Sequence, residues 1–356
     1  MSGSARPYLP VLDVARILAV LGVIGVHVLA DPVAEGHAGT GWLVLRQLIS
    51  TAVPVFFMMS GALTLAPGAH RKGPGAFLSR RAVRIVPALV VWSLFYMLVV
   101  QRWTGAGPLS LEEMGRRVIT GETFTHLYFL WAIAGLYLLA PVLAAFLAAA
   151  GEERAQGRRA WVITLVACAW TLVVMAVPAL TAGFEEGPLA PVQRSALTDP
   201  LLFLGCFVAG RAALAAPVTR RLGALCLFAC VPLIALMSML VQVPEAEQQL
   251  WHQLLMPTYV SPLVLVCSVL LFAGVIAFTA PWRVGERAQR VLRELGNATF
   301  GVFLVHFAVL IAARELLPVL DGPASAAMAG LWALVAAVSF ALALPMQRVP
   351  GLRLIV

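Results

Sequence analysis

The sequence predicts an all-α protein that crosses a membrane about ten times, with both ends on the cytoplasmic side. Three observations predict it. Of 356 residues, 61% are hydrophobic and 12% charged, whereas soluble domains carry about 25% charged and about 45–50% apolar residues. A soluble fold of this length cannot hide so much apolar area, because surface grows too quickly with mass. Apolar runs of the length needed to cross lipid, about 20 residues, recur near 10–30, 42–66, 82–101, 124–149, 160–182, 197–216, 221–241, 257–279, 298–317 and 326–346. The third observation is the charge on the loops between them.

Basic residues favour cytoplasmic loops. With the N-terminus inside, eighteen of the 25 lysines and arginines fall in inner segments: Arg6; Arg71, Lys72, Arg80, Arg81 and Arg84; Arg154, Arg158 and Arg159; Arg211, Arg220 and Arg221; Arg283, Arg287, Arg290 and Arg293; Arg348 and Arg353. Five fall outside (Arg102, Arg116, Arg117, Arg194 and Arg314), and Arg16 and Arg46 lie within spans. An odd number of spans would spoil this alternation. The net charge of +8 is thus an orientation signal and a contact for anionic lipid headgroups, not a nucleic-acid surface.

The first apolar run contains Asp13, Arg16 and His27, so it reads as a span and not as a signal peptide. Five cysteines (Cys168, Cys206, Cys226, Cys230 and Cys267) all sit inside apolar runs without a paired or histidine-flanked spacing. No disulfide and no metal site is expected from them. No repeat divides the chain, and residues 1–356 read as one transmembrane domain. The inner loop 280–297, with Arg and Glu interleaved, predicts a short surface helix. Asn297-Ala298-Thr299 then reads as the start of the next helix rather than a glycosylation acceptor.

Ionisable side chains inside a membrane are costly, so each is a candidate for function. Asp13 and Arg16 are three apart on one helical face and can pair. His27 follows Arg16 by eleven residues, about 16 Å along a helix and almost whole turns round it. The two share a face and cannot touch, yet one extended ligand could reach both. Asp13 is too far away to orient His27. His126, at the start of the fourth span, and His306, inside the ninth, are open to structural or functional readings. Arg81 and Arg84 share a face at the inner end of the third span. They read either as positive-inside anchors or as a fork for phosphate oxygens. Ser60 is a candidate oxyanion donor or, more plainly, a serine at a helix contact.

The arrangement Arg16, ten residues, His27, set in Leu12-Asp13-Val14-Ala15-Arg16, resembles the hallmark of membrane acyltransferase family 3. Four further stretches agree in order. These are Val53-Pro54-Val55-Phe56-Phe57-Met58-Met59-Ser60-Gly61; Arg81-x-x-Arg84 running into Pro87; His126-Leu127-Tyr128-Phe129-Leu130 with Gly135-Leu136-Tyr137-Leu138-Leu139-Ala140-Pro141; and Thr299-Phe300-Gly301-Val302-Phe303-Leu304-Val305-His306. Phe303 stands where many relatives have Tyr, and Tyr128 where many have Trp. The fourth-span pattern is similar to the small single-domain branch that resembles enterobacterial common antigen O-acetyltransferases.

The resemblance implies a multi-pass enzyme of the bacterial inner membrane. Acetyl-coenzyme A, or another acyl-coenzyme A, is the implied cytoplasmic donor. A hydroxyl of an envelope sugar, lipid-linked glycan or small molecule is the implied acceptor, and a homo-oligomer is left open. It implies His27 as the catalytic residue, with Arg81 and Arg84 binding the coenzyme. A histidine can take a proton from the attacking hydroxyl or carry the acyl group itself. Arg16 could grip the coenzyme or polarise the thioester carbonyl. The competing class is a transporter or flippase of a polar envelope precursor. Against it, no inverted repeat and no matched pair of broken helices is evident.

Overall fold

The computed structural model describes residues 8–105, 107–180, 195–244, 250–279 and 282–356. Arg6 and Arg194, counted above among the loop charges, lie outside the described residues. The chain runs through helices α1 (Pro10–Val28), α2 (Thr40–Thr64), α3 (Gly73–Trp103), α4 (Leu111–Thr120), α5 (Tyr128–Ala148), α6 (Glu153–Leu180), α7 (Leu204–Ala215), α8 (Arg220–Leu240), α9 (Pro262–Thr279), α10 (Glu286–Leu316) and α11 (Ser325–Met346). No strand occurs among the described residues. Nine of these helices, all but α4 and α7, are long and apolar enough to cross a membrane. Their outward faces carry large apolar side chains such as Leu138, Val142, Leu165, Phe228 and Val231, a surface that suits lipid and not water.

The sixth expected span departs from the prediction. The run 197–216 folds as a single turn at Asp199–Leu202, a break at Phe203, and then the 12-residue α7. Twelve residues rise about 18 Å, short of a hydrocarbon core of about 30 Å. Nearly every side chain of α7 is buried, because α2 and α6 flank it at backbone distance. A Cβ on Gly61 would overlap the Phe207 carbonyl oxygen, and one on Gly210 would overlap that of Met58. Small residues permit such an approach, and it maximises dispersion contact where lipid supplies no hydrophobic drive. Periodicity alone does not separate a lipid-facing span from a helix enclosed by protein.

Arg211 is corrected by the same feature. It is not a loop anchor but a fully buried side chain on α7. Its NH1 donates to Glu153 Oε1 at 2.9 Å and its NH2 to Gln156 Oε1 at 3.2 Å. A buried charge needs such partners.

α10 corrects a second expectation. The Arg- and Glu-rich segment and the ninth apolar run form one continuous helix of 31 residues. No proline interrupts it, and Asn297 lies in its interior, not at its start. Gly296 lets it close on α1, since a Cβ there would lie 2.8 Å from Asp13 Oδ1.

Proline explains the break inside α2. Pro54 has no N–H for the Ser50 carbonyl and its ring crowds that carbonyl. The helix therefore pauses at Ser50 and Thr51, whose hydroxyls donate back to the Arg46 and Leu48 carbonyls at 2.8 and 2.6 Å. α3 contains a π-helical turn at Tyr96–Val100. α4 is an amphipathic surface helix in the connection 102–123, between the third and fourth expected spans. Its cap is Ser110, whose Oγ accepts from the Glu113 amide at 3.1 Å, and Gly121 at φ +80° ends it.

Candidate active site

Helices α1, α3 and α10 run in the same direction, and α5 runs against them. This register collects the arginines at one end of the bundle and the histidines nearer the other. At the arginine end Asp13 is buried and accepts from Arg16 NH1 at 3.0 Å and from the Tyr8 hydroxyl at 2.8 Å. The pair expected from the i, i+3 spacing is thus formed. Burial and the Asp13 carboxylate push the Tyr8 phenol up to about 12, so it remains a donor to Asp13. With both Asp13 oxygens occupied, Arg16 is held from below and its guanidinium faces a cavity.

That cavity has a volume of about 260 Å³, and Arg16, Ser60, Arg81 and Arg84 all line it. Four residues singled out from the sequence, carried on three helices, therefore share one space. Its aromatic walls are Phe56, Phe129, Tyr137, Phe300 and Phe303. The Arg81 guanidinium lies 5.4 Å from the Phe77 ring and 5.2 Å from the Tyr137 ring, and that of Arg84 lies 5.5 Å from Phe300. Stacking orients each arginine while leaving its edge N–H groups for a ligand. Neither Arg81 nor Arg84 has an ion-pair partner among the described residues. Three arginines thus line the cavity, and Asp13, which pairs with Arg16, is not among its lining residues.

Ser60 Oγ and the Tyr137 hydroxyl are 2.8 Å apart, with either as donor. Ser60 is therefore at a helix contact and on the cavity wall at once. Tyr137 belongs with the site, although only its place in a motif pointed to it. Asn297 and Thr299 also line the cavity; both stand next to the Gly296 contact with α1, a closeness that local sequence does not reveal.

The histidines form a second cluster. His27 on α1, His306 on α10 and His126 just before α5 converge, with ring centroids 5.5 Å apart for His27 and His306 and 4.9 Å for His126 and His306. Phe307 packs on all three. Sequence reading left His126 and His306 open; the fold brings both to His27. Asp13 does not reach this cluster. His306 Nδ1 donates to the Phe303 carbonyl at 2.6 Å, which fixes its tautomer and leaves Nε2 without a hydrogen. That Nε2 and both nitrogens of His126 are buried without a hydrogen-bond partner among the described residues. Unpartnered buried polar atoms are costly and uncommon, so this cluster is built to meet something polar. Despite the three imidazoles, no metal-holding group of histidine, cysteine, aspartate or glutamate occurs among the described residues.

Phe303 separates the two halves. It lines the arginine cavity, lies 5.1 Å from Phe129, and packs on His126 and His306 at 5.3 and 5.8 Å. None of the histidines lines the cavity. Tyr96 supports the cluster from α3, its ring 4.9 Å from His126. Its hydroxyl donates to the Leu304 carbonyl at 2.8 Å and accepts from the Ala308 amide at 3.2 Å. In a regular helix those same two groups also bond each other. The tyrosine thus enters the ladder of α10 on either side of His306.

Compared with known proteins, the chain matches the sequence profile of acyltransferase family 3, described as an acyltransferase domain, over residues 9–346. No curated protein and no solved structure matches it.

Proposed function

Since the chain belongs to membrane acyltransferase family 3 and is a multi-pass acyltransferase, we propose that it takes an acyl group, acetyl in the first instance, from cytoplasmic acyl-coenzyme A. It delivers that group to a hydroxyl of a sugar, cell-envelope glycan or small molecule. The setting is a bacterial inner membrane; with the short, protein-enclosed α7 counted as a tenth pass, both ends of the chain lie in the cytoplasm. The observation that carries the reading is the alignment of the two clusters across Phe303. Arg16, Arg81 and Arg84 line one cavity, and His27, His126 and His306 meet beyond it.

In this reading Arg81 and Arg84 hold phosphate oxygens of the donor, by forked hydrogen bonds that an ammonium cannot imitate. Arg16, held by Asp13, faces the thioester end and stabilises the oxygen that becomes negative as the carbonyl is attacked. His27 acts in one of two ways. As a base it takes the proton of the acceptor hydroxyl, whose oxygen attacks the carbonyl; the C–S bond breaks and the thiolate recovers that proton. As a nucleophile it takes the acyl group on a ring nitrogen with loss of the thiolate, and the hydroxyl then displaces the imidazole. Both routes need the barrier at Phe303 to shift when donor or acceptor binds. Both also give the unpartnered ring nitrogens of His126 and His306 a proton or hydroxyl to meet.

The test is incubation of the purified protein with labelled acetyl-coenzyme A and extracted envelope glycans. Acceptor-dependent release of free coenzyme is expected, and Arg81→Ala with Arg84→Ala should weaken donor binding by about 10-fold or more per lost charge-assisted contact. Accumulation of a substrate in vesicles without coenzyme release would instead favour a transporter, and unchanged donor affinity in the double variant would remove the clamp.

A further inference from the structure

A second hollow, of about 400 Å³, opens beside the first and shares Arg84 and Asn297 with it. Its other polar walls are Arg80, Gln347 and Arg353. Three guanidiniums and two amides face it, and no acidic side chain lines it. Arg80 directs one N–H to the Ala69 carbonyl at 3.1 Å, and its remaining donors are unassigned. The Gln347 Nε2 amide is buried without a partner among the described residues. A buried donor lacking an acceptor is unfavourable until something supplies one. A concave wall of donors and positive charge is chemistry for an anion with several oxygens.

The chain builds this wall with some care for position. After α11, Gly351 at φ +93° turns the backbone in a way that favours glycine. One helical turn, Leu352–Leu354, follows. Trp92 Nε1 on α3 then donates to the Ile355 carbonyl at 2.8 Å. Gly301 leaves room for Val356 against α10, since a Cβ there would lie 3.1 Å from the Val356 Cβ. These contacts fix the segment that carries Arg353, which lines the hollow together with Arg80. Arg348, five residues earlier, is paired with Glu294 instead. Arg353 has no ion pair among the described residues, and simple positive-inside anchoring does not call for a pinned tail.

We propose that this hollow binds the 3′-phosphate at the nucleotide end of the donor, an inference that rests on the acyl-coenzyme A reading above. The slim, uncharged pantetheine arm then lies in the aromatic-walled first cavity. The diphosphate joining the two parts falls at the shared wall, Arg84 and Asn297. The terminal phosphate dianion is left for Arg80, Arg353 and Gln347. The same phosphate chemistry is available from an anionic lipid headgroup, and the experiment separates the two sources.

Binding is measured in neutral detergent for acetyl-coenzyme A and for its 3′-dephospho form, with the full chain and with Arg353→Gln and Arg80→Gln/Arg353→Gln. The full chain should prefer the 3′-phosphorylated donor by about 10-fold to about 100-fold, the worth of one or two charge-assisted hydrogen bonds. Arg353→Gln should lose about 10-fold in affinity for acetyl-coenzyme A and none for the dephospho form. Equal affinity of the full chain for both donors would overturn the proposal, as would an equal loss for both in the variants. A third arm adds phosphatidylglycerol to neutral nanodiscs. Loss of that lipid's association in Arg353→Gln, with both donor affinities intact, would make the hollow a headgroup site and likewise overturn it. If the full chain binds neither donor, the acyl-coenzyme A reading itself has failed, an outcome distinct from the others.

Discussion

Replacing Tyr96 by Phe removes one oxygen from the interior, and with it two hydrogen bonds that bracket His306. The ring is fully buried, so packing is conserved and the change is almost purely polar. Each intramolecular hydrogen bond contributes a net of about 0.5–1.5 kcal/mol, so losing both costs about 1–3 kcal/mol if α10 keeps its shape. The alternative is relaxation. The Leu304 carbonyl and Ala308 amide can pair directly, as in a regular helix, recovering roughly one bond and lowering the cost to about 1 kcal/mol. Tightening the helix between those two groups would shift His306, which lies between them, relative to His27 and His126. Stability and turnover are therefore linked: a small loss of stability comes with a large loss of turnover, and the reverse. The assay is denaturant unfolding of the detergent-purified variant together with acyl transfer at saturating donor. A Tyr96→Phe protein with unchanged stability and unchanged turnover would refute the view that this hydroxyl is part of the α10 ladder.

Other consequences follow from single contacts. Gly61→Ala places a methyl on the Phe207 carbonyl oxygen and should prevent α7 from seating, read as loss of a monodisperse peak in size-exclusion chromatography. Phe303→Leu thins the barrier between cavity and histidines at a cost on the order of 1 kcal/mol. It should raise acceptor-independent hydrolysis of the donor, measured as free thiol released without added acceptor. Tyr8, at about 12 when folded and about 10 when unfolded, favours the folded state below pH 10. The unfolded phenol ionises first, so this contribution falls as pH rises from about 10 to about 12. Tyr8→Phe should flatten that part of the stability profile.

Much of the site was legible in the sequence, but unevenly. Arg16, Arg81 and Arg84 stood out because lipid excludes charge, and helical spacing alone foretold the Asp13–Arg16 pair. The nine long helices follow from hydropathy. What hydropathy could not give is which spans touch. His126 and His306 are about 180 residues apart in the chain, and only the register of α1, α5 and α10 brings them to His27. Arg211 was misread for a related reason: a cation at the end of an apolar run looks the same whether it faces headgroups or turns inward to Glu153 and Gln156. The short α7 is apolar enough to pass for a span, and only its backbone contacts through Gly61 and Gly210 reveal that protein, not lipid, surrounds it. Arg353 reads in sequence as one more anchoring charge, and nothing near it announces that Trp92 bonds the Ile355 carbonyl two residues on.

The most direct test of the account is His27→Ala. The variant should insert, purify and bind acetyl-coenzyme A with unchanged affinity, because the arginine cavity is intact. Transfer of the labelled acetyl group to the acceptor should fall by about 100-fold or more, the usual contribution of a positioned acid–base group. Undiminished transfer by the folded variant would contradict the assignment of the reaction to the histidine cluster.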